Sequence, residues 1–89
     1  MRYIINFQVK IEDDETSNEI IQSSYTILEK DSEKYNLLNI YKVEDWFKKF
    51  FKQTPLEHFI DTKKMSNTTN LNMKIARITN AISGEYKIF

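Results

Sequence analysis

VEDWFKKFFKQ, residues 43–53, decides how the rest of the chain is read. At about 100° per residue, Val43, Trp46, Phe47, Phe50 and Phe51 fall within about 140° of arc, and every polar residue from Glu44 to Gln53 falls outside it. That segregation predicts an amphipathic helix. Glu44 and Asp45 occupy its first turn and Lys48, Lys49 and Lys52 follow, the order the helix dipole favours. Glu44–Lys48 and Asp45–Lys49 are spaced for i,i+4 ion pairs in the better orientation. The ring stripe has three uses. It can cover a sheet as core; it can offer Trp46 or Phe51 at its margin as an anchor for a partner; or it can lie in a membrane interface. The helix is short, and its polar face mixes acids with lysines, which disfavours the membrane. A chain of this size needs bulky side chains for its core, so the reading is core with an aromatic edge left showing.

Upstream, Tyr3, Ile5, Phe7, Val9 and Ile11 alternate with Arg2, Asn6, Gln8 and Lys10, and only Ile4 breaks the polar register. This predicts a half-buried strand over 2–11. Glu12-Asp13-Asp14-Glu15 then reads as a solvated turn. Residues 19–29 admit two readings. Thr16 with Glu19 could form a capping box that opens a helix. Ser-Ser-Tyr-Thr-Ile is better strand material, and a strand would be an immediate antiparallel partner for the first. Residues 31–34 read as a polar turn. Residues 35–42 read as a third strand or as the front of the long helix, but Leu37, Leu38 and Tyr41 run out of phase with it at Glu44 and Asp45.

Downstream, Thr54 as N-cap, Pro55 at the first position and Glu57 as the return arm of a capping box predict a helix over 55–64. Leu71, Ile75, Ile78 and Ile82 recur at i, i+4, i+7 and i+11, and Gly84, the only glycine, follows as a C′ residue. They predict a third helix over 70–83. Residues 85–89 can add a last strand. The expected architecture is one α+β domain over 1–89: a small antiparallel sheet of three strands, with a fourth from the C-terminus as an option, covered by two or three helices.

Composition narrows the function. Cysteine is absent, which excludes disulfides and thiolate metal sites and fits a reducing, cytoplasmic setting. The first residues are too short and too alternating for a signal peptide or a membrane span. Residues 1–45 carry five basic and ten acidic side chains, and residues 46–89 carry eight basic and three acidic. Such asymmetry suggests either a charged partner or two halves that complement each other. His58 is the only histidine and points away from the apolar face of its helix. There is no cysteine nucleophile, no serine in a nucleophile elbow and no glycine-rich phosphate loop. The acidic run lacks the spacing of a calcium loop. We therefore expect no enzyme, no cofactor and no metal, and look to binding.

Two binding readings follow. In the first, the acidic run Glu12, Asp13, Asp14 and Glu15, with Trp46 and Phe51 as aromatic anchors, engages a protein with a basic surface. The small size, the plain domain and a composition rich in Lys, Ile and Asn fit an accessory protein of a phage or mobile element. An inhibitor of a host nucleic-acid-handling complex, of the anti-CRISPR kind, is one concrete version. In the second, Lys63, Lys64, Lys74, Arg77 and Lys87 bind nucleic acid. KIARITNAISGEYK, residues 74–87, is similar in pattern to a recognition helix with its glycine turn, so this chain would be a small DNA-binding regulator.

Overall fold

The structure, a computed structural model, describes residues 1–12, 19–59 and 70–89. Strand β1 (Tyr3–Glu12) pairs antiparallel with β2 (Glu19–Ile27) on one side and with β3 (Asn70–Asn80) on the other, and β4 (Tyr86–Ile88) closes the far edge. The sheet order is β2-β1-β3-β4. Between β2 and β3 run a short helix α1 (Glu29–Lys34), the long helix α2 (Ile40–Gln53) and a single 3-10 turn (Leu56–His58). The class is α+β, as the alternation of β1 and the stripe of α2 predict.

One face of the sheet is covered. Tyr3, Ile5, Phe7 and Val9 of β1, Ile27 of β2 and Ile75 and Ile78 of β3 are buried beneath Ile40, Val43 and Phe47 of α2. Phe47, at 0% exposure, stands 5.1 Å from Phe7 and 5.8 Å from Tyr25 by ring centroid, and Phe59 meets it edge-on at 5.9 Å. Tilted and edge-to-face rings at such spacings add to the stabilisation from burial alone. Ser23 of β2 donates its hydroxyl proton to the Phe59 carbonyl, 3.1 Å away, and ties the 3-10 turn to the sheet. Asn39 caps α2 by accepting from the Lys42 N–H at 3.0 Å.

Four expectations are corrected. Residues 35–42 form no strand. They are the end of the α1 turn, a short connector that buries Leu37, and the first turn of α2, which starts three residues earlier than the ring stripe because Ile40 joins the buried face. Residues 31–34 are helical rather than a turn. Ser32 of α1 is buried, and its single hydroxyl proton lies between the carbonyls of Met1 and Glu29; the Met1 contact spans 31 residues, and no local pattern announces it. The Thr54–Glu57 capping box does not form. Thr54 ends α2 in extended backbone and only Leu56–His58 turn, with residues 60–64 of the expected helix outside the described ones. One long helix therefore covers the sheet among the described residues, not two or three.

The largest correction is at 70–83, which is not a helix. Residues Asn70–Asn80 pair with β1 along its whole length. Ile75 lies opposite Phe7 and Arg77 opposite Asn6, so Ala76 is an extra residue in the ladder, a β-bulge. The bulge shifts the inward parity. Met73 and Ile75 face the core before it, and Ile78 and Asn80 after it. A period of two with one residue inserted places Ile75 and Ile78 three apart, which is helical spacing. The Ala76 carbonyl accepts the Phe89 N–H at 2.9 Å. Gly84 has the left-handed φ of +81° that the sequence implies, but in the β3–β4 turn rather than behind a helix. Its N–H donates to the Asn80 carbonyl at 2.8 Å, and the Asn80 side-chain oxygen accepts from the N–H groups of Ile82 and Ser83.

Tyr3 links this core to pH. It is 1% exposed, and its hydroxyl donates to the Met1 sulfur at 3.3 Å. Burial first, and the Glu85 carboxylate second, raise its phenol above the ordinary value of 10.0. The folded state thus holds this proton more tightly than the unfolded chain does. The resulting stability is present below pH 10.0 and is lost as pH rises through the folded pKa. The expected melting temperature is flat from about pH 8 to 9.5 and falls above about 10, and Tyr3→Phe flattens part of that fall. An unchanged slope in Tyr3→Phe would remove Tyr3 as its source.

Candidate functional site

The second face of the sheet is uncovered, and strand pairing lays its side chains out in rows. Thr26, Ile4, Thr79 and Tyr86 form one row; Ser24, Asn6, Arg77 and Ile88 the next; Gln22, Gln8 and Lys74 the third; Ile20, Lys10 and Asn72 the last. Among the described side chains, the cations Lys10, Lys74 and Arg77 stand on this face. The Arg77 guanidinium lies 4.3 Å from the Tyr86 ring centroid. Lys74 and Arg77, placed by sequence on one face of a helix, share a face of the sheet instead, because the bulge between them preserves their common side. Lys87 is not with them. Paired with Ile78, it points to the covered side, 4.3 Å from the Tyr41 ring and 5.0 Å from that of Phe89. Lys63 and Lys64 lie outside the described residues. Lys10, not singled out from sequence, joins the face; the alternation of β1 is the signal that would have found it.

Of the acidic run, Glu12 ends β1 opposite Asn70, and Asp13, Asp14 and Glu15 lie outside the described residues. The two aromatic anchors are half-buried on opposite margins of α2, as the wheel places them. Phe51 packs at the β3 side, 4.9 Å from Phe59 and 6.0 Å from Phe7, and shares a groove of about 330 Å³ with Lys48, Lys52, Leu71, Asn72 and Met73. Trp46 lies at the β2 side. Its indole stacks on Phe50 with centroids 4.6 Å apart and planes 13° off parallel, and Tyr35 tilts against it at 5.3 Å. The two rings therefore belong to two surfaces, not one.

Around Trp46 the structure assembles a cleft. Tyr25 and Ile27 of β2, Asp31 of α1, Tyr35 just after α1, and Trp46 and Phe50 of α2 line a space of about 140 Å³. Tyr25 is positioned by inward alternation on β2 and stands 5.4 Å from Phe50. Burial, then the charge of Asp31, then Tyr35, raise the Tyr25 phenol above 10.0. Asp31 is half-buried, and its carboxylate makes no hydrogen bond or ion pair with any described residue. Sequence reasoning missed Tyr25 and Tyr35 and did not place Asp31 beside them. Their convergence depends on the fold, and Asp31 sits in a stretch that reads as a plain polar turn.

Among the described residues no group of three or more His, Cys, Asp or Glu side chains could hold a metal ion. His58 is exposed on the 3-10 turn. No described helix is long and apolar enough to cross a membrane. No family model matches the chain, no curated protein matches it, and no solved structure matches it.

Proposed function

We propose that the chain is a small non-enzymatic protein that works by binding another macromolecule, and that the partner is a protein with a basic surface. The carrying observation is the aromatic edge at Trp46, half-buried at the margin of α2, with the Asp31 carboxylate of α1 in the cleft beside it. Large rings at the centre of an interface supply affinity, and a charged rim supplies steering and selectivity. In sequence, Glu12, Asp13, Asp14 and Glu15 supply a second group of the same sign of charge. A surface of this kind competes with phosphate for a basic patch. In its concrete form the protein is a phage or mobile-element accessory that inhibits a host nucleic-acid-handling complex, as an anti-CRISPR does.

A second reading has its own observation, the exposed sheet face that brings Lys74 and Arg77 together. That face suits a phosphate backbone without any recognition helix. Capture with the tagged chain from a host lysate, with and without nuclease, separates the two. The expected result is a near-stoichiometric protein that survives nuclease. Reversing Glu12, Asp13, Asp14 and Glu15 to Lys reduces its recovery several-fold, and reversing Lys74 and Arg77 to Glu leaves it unchanged. Recovery of nucleic acid, or loss of the partner on nuclease treatment or on the Lys74/Arg77 reversal, overturns the protein reading in favour of the second.

A further inference from the structure

We propose that the cleft beside Trp46 is a docking pocket for one arginine side chain of a protein partner. This assignment rests on the reading that the partner is a basic protein and names the group that this site takes. The walls are apolar or aromatic, from Tyr25, Ile27, Tyr35, Trp46 and Phe50, and Asp31 is the one acidic side chain among them. Its volume of about 140 Å³ is close to the roughly 150 Å³ of a cavity that admits benzene. A guanidinium has fewer heavy atoms than benzene and fits the same space. Ring faces attract cations, most strongly that of Trp. The chain's own Lys34 ammonium already lies 5.3 Å over the Tyr35 centroid, on the rim.

The carboxylate is what selects charge. Asp31 is half-buried without a described partner, and a carboxylate in that position gains most from a cation that also donates hydrogen bonds. Among cationic side chains a guanidinium alone combines a planar π-face for the rings with a two-pronged fork for the carboxylate. A lysine ammonium is more strongly hydrated and offers no face, and a quaternary ammonium offers no donor to Asp31. The pocket therefore favours arginine.

Trp46 is the only tryptophan, so its emission reports on the pocket without any label. The full chain is titrated with acetyl-arginine amide, with the neutral isostere acetyl-citrulline amide, and with acetyl-trimethyl-lysine amide. A saturable change is expected with the arginine compound and none with citrulline. Asp31→Asn weakens the arginine response about tenfold, and Glu44→Gln, outside the pocket, leaves it unchanged. Tyr35→Ala, on the exposed rim, weakens it too, and circular dichroism confirms that each variant is folded. No saturable change, an equal response to citrulline, or indifference to Asp31→Asn overturns the pocket. Tighter binding of trimethyl-lysine overturns the arginine assignment. The titration contains no partner. Saturation together with failed protein capture removes the partner reading alone, and capture without saturation removes the pocket alone.

Discussion

Phe47→Ala is expected to cost about 3–5 kcal/mol, at the upper end for a Phe truncation. The ring is fully buried and lies within 6.3 Å of four others, Phe7, Tyr25, Phe51 and Phe59. Removing it opens a cavity under α2 and takes away ring pairs worth about 0.5–1.5 kcal/mol each beyond their area. A domain of 89 residues has a total stability of roughly 4–13 kcal/mol, so the variant loses from about a quarter to all of it. Urea denaturation followed by circular dichroism measures it. The neighbours calibrate the result. Phe51→Ala and Trp46→Ala remove half-buried rings at the margins of the helix, and each is expected to cost about half as much or less. A loss below about 1 kcal/mol for Phe47→Ala would mean that the stripe faces solvent or a partner and not the sheet. Equal losses for all three would deny that α2 has an aromatic edge at all, and with it the surface assigned to the partner.

That edge was legible in the sequence because everything that fixes it is local. Ring positions on a helix of known pitch place Phe47 and Phe50 inside the buried arc and Trp46 and Phe51 at its limits. Strand β1 was legible for a similar reason, since a sheet with one covered face imposes strict alternation. What could not be read depends on contacts between distant residues. The short helix α1 is held by Ser32 bonding back to Met1. Nothing in EKDSEK announces that partner, so the segment reads as a turn. The cleft beside Trp46 draws its walls from β2, α1, the residue after α1, and α2, and a carboxylate becomes notable there only once rings surround it. Gly84 shows a third case. Its need for a left-handed backbone was apparent, but a helix C-terminus and a hairpin turn make the same demand, so the residue identifies the conformation and not the element.

The bulge at Ala76 is the place where local pattern and fold diverge, and two single-residue deletions expose it. Deleting Ala76 brings Arg77 directly after Ile75, and Phe7 and Asn6 then face consecutive residues. Ile75 and Ile78 both stay inward. The loss is the Phe89 hydrogen bond to the Ala76 carbonyl and the local bend, about 1–2 kcal/mol. Deleting Lys74, two positions away and equally exposed, has no such remedy. If the residues after the gap hold their places, Leu71 and Met73 turn to the uncovered face. If those before it hold, the bulge is absorbed, but Ile75 leaves the core and Ala76 takes its position. Either way a large side chain on the covered side, half-buried Met73 or buried Ile75, is exchanged for a small or polar one, at about 2–5 kcal/mol. Unfolding free energies of the two deletions from urea denaturation are expected to differ by about 1–3 kcal/mol, with the Ala76 deletion the more stable. In a helix every deletion rotates the following face by about 100°, and both would be equally ruinous. Matched losses would therefore return residues 70–83 to a helix and reopen the recognition-helix reading. A tolerated Ala76 deletion keeps Lys74 and Arg77 on the sheet, where any phosphate backbone would have to be met by a flat face.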